Sequence, residues 1–120
     1  MSHFPETVLL HNPSCSKSRT ALSLLTERGV SFSVREYLLE PLSRDELGAL
    51  QVLLGSHPRE WVRAGGPEWS ESGLSLSSEA GPILDAIATW PTLLQRPILI
   101  HGERALIGRP PTVLFELLVD

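Results

Sequence analysis

Apolar and polar positions alternate along this chain in blocks of two recognisable periods. Val8-Leu9-Leu10-His11 is a short apolar run that stops at Asn12-Pro13-Ser14, the pattern of a buried strand entering a turn. From Ser16 to Arg28, Ala21, Leu22 and Leu25 follow helical spacing, and Gly29 supplies a stop. Val30, Phe32 and Val34 then alternate with Ser31, Ser33 and Arg35, which predicts a half-buried strand ending near Tyr37. Strand, helix and strand in this order make a βαβ unit.

The middle reads as helical and irregular. Ser43-Arg44-Asp45-Glu46 matches a capping box, with Leu47, Leu50 and Leu54 as the core face before Gly55. Pro58 suits the first turn of a further helix carrying Arg59, Trp61, Val62 and Arg63, broken by Gly65-Gly66-Pro67. Residues 68–78, rich in Ser and Glu, read mainly as loop. A helix is expected from Ser78 to Ala88, ended by Trp90-Pro91. Pro97-Ile98-Leu99-Ile100 and Ala105-Leu106-Ile107 flank a four-residue turn, His101 to Arg104, which predicts a β-hairpin. Pro110 and Pro111 open a last helix with Val113, Leu114, Leu117 and Leu118 on its apolar side. The fold class is therefore α/β. The order βαβ, helical insertion, ββα suits a thioredoxin-like fold, a mixed four-stranded sheet flanked by helices. One domain is expected over 1–120, with the insertion at about 42–95.

Composition narrows the function classes. The chain has 120 residues, 42% hydrophobic and 20% charged, enough apolar material for a packed core. A net charge of −4 argues against nucleic-acid binding through bulk charge. No apolar run reaches the roughly 18 residues that span a bilayer, and no signal peptide is visible, so a cytoplasmic protein is expected. Four scattered histidines and one cysteine form no metal motif. His57 reads as a cap-region residue, and His3 and His101 as exposed.

The one cysteine, Cys15, stands where a strand turns into a helix. The first N–H groups of a helix have no backbone partners, and the macrodipole adds partial positive charge there. Both a thiolate and an oxyanion beside it are stabilised by such a site. An ordinary thiol with pKa near 8.5 is about 3% ionised at pH 7. Two units of depression would ionise roughly three quarters of it, about 2.7 kcal/mol in favour of the thiolate. Lys17 and Arg19 add positive potential if they face the sulfur. Taken by itself, a lone cysteine is equally at home as a small buried apolar residue. Ser18 occupies the position that would complete Cys-x-x-Cys, so an oxidised Cys15 needs a thiol from outside the chain.

The stretch His11-Asn12-Pro13-Ser14-Cys15-Ser16-Lys17-Ser18-Arg19 resembles the active-site loop of the glutaredoxin-coupled arsenate reductases, in the form His-Asn-Pro-x-Cys-x-x-Ser-Arg. Residues 55–74 resemble that family's helical segment, with Arg59 and Arg63 four residues apart. Arg96-Pro97-Ile98 resembles its Arg-Pro-Ile step into a strand, where the X-Pro bond is cis, and Gly108-Arg109-Pro110 its late Arg-Pro step. The resemblance implies a thioredoxin-like fold and arsenate reduction. It implies Cys15 as the nucleophile and Arg63, Arg96 and Arg109 as the guanidinium groups around the oxyanion. His11 then influences thiol ionisation, with Ser18 and Arg19 in supporting places. No metal or bound cofactor is implied; glutathione is a co-substrate and glutaredoxin a partner. Ser16-Lys17 replaces the Gly-Thr of the best-known members, and the chain stops soon after its last helix. Three rival readings use the same residues. One is a monothiol oxidoreductase acting on glutathione mixed disulfides. Another is a redox-responsive binding protein that docks on RNA polymerase, and the third is an oxyanion binder without turnover.

Overall fold

The computed structural model describes residues 4–94 and 97–118. They form two compact units, one of Met1–Glu40 with Arg96–Asp120, the other of Pro41–Gln95.

In the first unit, β1 (Thr7–His11) leads to α1 (Ser16–Glu27) and β2 (Ser33–Glu36). The later segment supplies β3 (Ile98–His101) and β4 (Arg104–Ile107), followed by a 3-10 helix, Pro111–Leu118. The sheet order is β2-β1-β3-β4. β1 runs parallel to β2 and antiparallel to β3, and β3 is antiparallel to β4. This is the mixed thioredoxin-like sheet that the element order predicts. All five positions of β1 are buried, which is why it reads as a continuous apolar run. Leu9 and Leu99 pack with Ala21 and Leu25 of α1 and with Leu114 and Leu117 of the C-terminal segment.

Helix α1 ends as its Gly29 signal predicts. Arg28 is the C-cap, and Gly29 takes φ 75°, a left-handed value that glycine adopts without a Cβ clash. β2 departs from expectation. It begins only at Ser33, and Val34, read as an inward position, is 46% exposed. A strand at the sheet edge has one neighbour, so alternation sets its faces without guaranteeing cover for both. Val30 and Phe32, upstream of the strand, pack on the core instead. The hairpin is also tighter than the sequence implies. His101 and Arg104 pair within the ladder, leaving Gly102 (φ 61°) and Glu103 as a two-residue loop. His101, expected to be exposed, is half-buried, with Nδ1 2.7 Å from Thr7 Oγ1. The last helix is 3-10 rather than α.

The second unit contains α2 (Arg44–Leu54), α3 (Pro67–Ser72) and α4 (Ala80–Thr89). The capping box of α2 forms in full. Glu46 N donates to Ser43 Oγ at 3.1 Å, and Ser43 N donates to Glu46 Oε1 at 2.9 Å. Gly55 closes the helix at φ 66°. The helix expected after Pro58 is a single 3-10 turn, Pro58–Trp61, so Arg59 and Arg63 do not share a helix. Val62 turns extended and bridges Leu94, and a β-branched residue that gains a strand partner favours that over another helical turn. His57 caps the turn, as read, its Nδ1 accepting from Arg59 N at 3.1 Å. The stretch read as loop contains α3. Pro67 fits its first turn, Gly73 ends it at φ 74°, and Trp69 is its buried anchor. One large aromatic anchor outweighs the polar composition around it. Among the described residues, no helix is long and apolar enough to cross a membrane.

Candidate functional site

The chain leaves β1 at His11 and re-enters regular structure at Ser16, and the four residues between are held by short-range hydrogen bonds. Asn12 Oδ1 accepts from Ser14 N at 2.9 Å, the Asx turn that an Asn-Pro step favours. Asn12 O accepts from Cys15 N at 3.0 Å, and Cys15 O accepts from Arg19 N at 3.0 Å, opening the helical ladder. Cys15 is thereby the N-cap of α1, extended at φ −97° and ψ 124°, and half-buried. The first turn of α1 contains no acidic residue, while Lys17 and Arg19 follow the cysteine. Dipole and side-chain charge therefore have the same sign at the helix start. Such an arrangement favours an anion by typically 0.3–1 kcal/mol, and up to ~2 when partly buried.

Arg19 does not turn its guanidinium wholly to solvent. One NH group donates to Pro13 O at 2.8 Å and ties the helix to the loop. Ser18, fully buried, accepts from Asn12 N at 3.0 Å, and its Oγ lies 2.7 Å from His11 Nδ1. With the ring proton placed on Nε2, the Ser18 hydroxyl donates to Nδ1 while accepting from the Asn12 amide. Burial pushes the His11 pKa below its ordinary value. Glu36, its partner across the β1–β2 register, opposes that shift, and Arg19 reinforces it. His11 is 4% exposed, and its burial favours the neutral ring over the cation.

Sheet register brings a second segment to the same end of the sheet. Leu10 pairs with Ile98, and Ile98 with Ile107. The ladder continues by one step, Gly108 N donating to Pro97 O at 2.7 Å. Strand β1 therefore runs out toward Cys15 at the end where β3 begins and where β4 delivers Gly108 and Arg109. Arg109 is exposed, its N–H donates to Ile107 O at 3.0 Å, and the Arg109–Pro110 bond is cis. A Cβ on Gly108 would fall 2.9 Å from both Pro97 Cγ and Leu114 Cγ. Only glycine lets the chain pass that close.

His11, Cys15, Ser18 and Arg19 thus form one connected cluster, and Arg109 lies at the same end of the sheet. Arg96 and its bond to Pro97 lie outside the described residues. Arg63 belongs to the second unit, exposed, its N–H donating to Leu93 O at 2.7 Å. Sequence reasoning passed over Glu36, and named Asn12 and Gly108 only as members of their motifs, without a role of their own. The Asn-Pro dipeptide was the available signal for Asn12. Glu36 and Gly108 act through pairing and close approach, which no local pattern announces.

Comparison with known proteins extends these observations. The ArsC family model matches residues 10–116. An arsenate reductase of Neisseria meningitidis serogroup A is 43% identical over 110 residues, covering 88% of this chain and 92% of that one. An arsenate reductase of Haemophilus influenzae is 34% identical over 113 residues, covering 92% and 97%. The solved structure of an arsenate reductase from Vibrio cholerae superposes with a TM-score of 0.86 at 35% identity, covering 92% of this chain and 95% of that one. The match runs from the end of β1 through the cysteine loop to beyond the late Gly-Arg-Pro step, and this chain belongs to the ArsC family.

Proposed function

We propose that the protein is an arsenate reductase that uses Cys15 as its nucleophile and draws its reducing equivalents from glutathione and glutaredoxin. The observation that carries this reading is the half-buried Cys15 at the N-cap of α1, in a positive first turn at the sheet end that delivers Arg109. Relatives with 43% and 34% identity that are arsenate reductases support the choice of substrate.

Arsenate carries between one and two negative charges near neutrality, so a thiolate attacking it meets like charge. Guanidinium groups answer that repulsion with paired donors, which neutralise the oxyanion and stabilise charge as arsenic changes coordination. In this reading Arg63, Arg96 and Arg109 fill that role. The Cys15 sulfur forms a bond to As(V), and an arsenate oxygen leaves as water after protonation. Glutathione then attacks the cysteine-bound arsenic, forming a second As–S bond as a second arsenic oxygen is protonated and leaves as water. A glutaredoxin thiol takes the glutathione sulfur as a mixed disulfide. The glutathione and glutaredoxin thiols are thereby oxidised to that disulfide, the electron pair of the broken As–S bond stays on arsenic to give As(III), and water cleaves the remaining Cys15–arsenic bond, releasing arsenite and restoring the Cys15 thiol. Use of glutathione is supported by the chain's single cysteine, which leaves no second thiol to close an internal disulfide. A cytoplasmic setting, where glutathione keeps thiols reduced, fits this chemistry.

The test is an arsenate reduction assay coupled to NADPH oxidation, through glutathione reductase in the glutaredoxin arm and through thioredoxin reductase in the thioredoxin arm. Wild type is compared with Cys15→Ser, and glutaredoxin with thioredoxin. Turnover with glutathione and glutaredoxin, abolished in Cys15→Ser, is the expected result. Turnover that survives in Cys15→Ser overturns the nucleophile assignment. Turnover supported by thioredoxin alone overturns the glutaredoxin coupling.

A further inference from the structure

We propose that Ser18 is a positioning residue for the Cys15 thiol, acting through the Asn12 amide and the His11 ring. The proposal rests on Cys15 being the reactive thiol and adds a role for the residue three places after it. Ser18 lies on the first turn of α1, and its side chain is fully buried. Filling that place does not require a hydroxyl, since alanine would serve, and a buried hydroxyl costs free energy unless it is hydrogen-bonded. Its oxygen instead accepts from Asn12 N at 3.0 Å and lies 2.7 Å from His11 Nδ1, engaging two consecutive residues at the end of β1.

The consequence follows along the backbone. Asn12 N is held by Ser18, and Asn12 O in turn accepts from Cys15 N at 3.0 Å. Cys15 O then accepts from Arg19 N at 3.0 Å, the residue beside Ser18. The circuit runs from helix to strand end, through the loop to the cysteine, and back to the helix. Every joint in it is a hydrogen bond of ordinary length. The direction of the Cys15 side chain relative to the first-turn amides depends on that circuit, and a dipole falls off within one helical turn. A small rotation of the loop therefore changes the field at the sulfur. His11 closes the arrangement from the strand. Glu36 on β2 and Arg19 on α1 are the charges that face it, and Pro97, next in the β3 register, contributes none. Lys17 and Arg19 are the cations that follow the thiol on α1. A neutral His11 accepts a hydrogen bond from the Ser18 hydroxyl at Nδ1, which leaves the oxygen lone pairs to accept from the Asn12 N–H.

The test measures the rate of Cys15 alkylation by iodoacetamide against pH in wild type, Ser18→Ala, Ser18→Thr, His11→Ala and the His11→Ala/Ser18→Ala pair. This readout needs no arsenate, so it stands whatever the substrate proves to be. In Ser18→Ala the alkylation midpoint is expected to rise by about one pH unit, a tenfold smaller thiolate fraction below the midpoint. Ser18→Thr keeps the hydroxyl and is expected to restore most of it. Adding Ser18→Ala to His11→Ala is expected to give a smaller further rise. The NMR titration of His11 provides a second measure that does not depend on the threonine fitting, since loss of its Nδ1 partner shifts the tautomer ratio. A Ser18→Ala protein that is destabilised yet alkylates with an unchanged midpoint and an unchanged His11 tautomer ratio overturns the proposal. Normal alkylation profiles with no arsenate turnover in any variant would overturn only the substrate assignment.

Discussion

Replacing Gly108 by alanine tests whether close packing behind Arg109 is what holds that end of the sheet. The added Cβ would meet Pro97 Cγ and Leu114 Cγ at 2.9 Å and Leu114 Cδ1 at 3.0 Å. Pro97 Cγ belongs to a ring and Leu114 Cγ is the branch point of a leucine that is itself buried, so neither is the free end of a flexible chain. Overpacking of this kind costs about 1–3 kcal/mol. Gly→Ala also restricts the unfolded chain, which returns about 0.4–1 kcal/mol. The overpacking is larger, and the net expectation is a loss of about 1–2 kcal/mol. Gly81 is the matched comparison. It lies in the first turn of α4, and beyond its chain neighbours and the backbone of its own helix nothing lies within 4 Å of the added Cβ. There the same substitution is expected to stabilise by about 0.5–1 kcal/mol. Urea unfolding followed by far-ultraviolet circular dichroism measures both changes from the shift in midpoint at constant slope. With Arg109 in its proposed oxyanion role, Gly108→Ala should also raise the KM for arsenate, because the clash of its Cβ with Pro97 and Leu114 displaces the backbone that leads into Arg109. A Gly108→Ala protein as stable as wild type would refute the reading that close packing at this step is required.

Two further outcomes are expected. Ser43→Ala removes the Oγ that accepts from Glu46 N, leaving the backbone N–H of residue 43 still donating to Glu46 Oε1, and should cost about 1 kcal/mol in a thermal or urea melt, whereas Ser43→Asp, which retains an N-cap acceptor, should stay within a few tenths. His11 is held below its ordinary pKa of 6.5 by burial, so between the folded value and 6.5 the unfolded chain binds the extra proton. Its contribution to stability is therefore complete above pH 6.5 and is lost as pH falls through that window. A direct NMR titration of His11 with a midpoint at or above 6.5 would contradict this.

The elements legible in the sequence are those whose signals lie within a few residues. Ser43 and Glu46 cap α2 as their spacing implies, Gly29 and Gly55 end their helices, and the apolar runs of β1 and β3 become buried strands. The cysteine loop was legible for the same reason. His11, Asn12, Cys15, Ser18 and Arg19 lie within nine residues, so a strand-to-helix turn suffices to bring them together. Where contacts are long-range, local pattern misled. The segment after Pro58 gave up its helix when Val62 found Leu94, 32 residues away in the chain. α3 formed in polar sequence because Trp69 is buried, and Val34 stayed exposed because β2 is an edge strand. Local preferences are worth at most about 1 kcal/mol per residue outside proline, whereas burying one large side chain contributes about 1.5–3. Tertiary partners therefore prevail whenever the two disagree. Amino-acid order alone specified the thiol, its helix start and the sheet's strands. The folded chain decided that Ser18 faces His11 and Asn12, and that Gly108 delivers Arg109 to the end of the sheet where β1 leads to Cys15, because pairing and packing join residues that sequence keeps far apart.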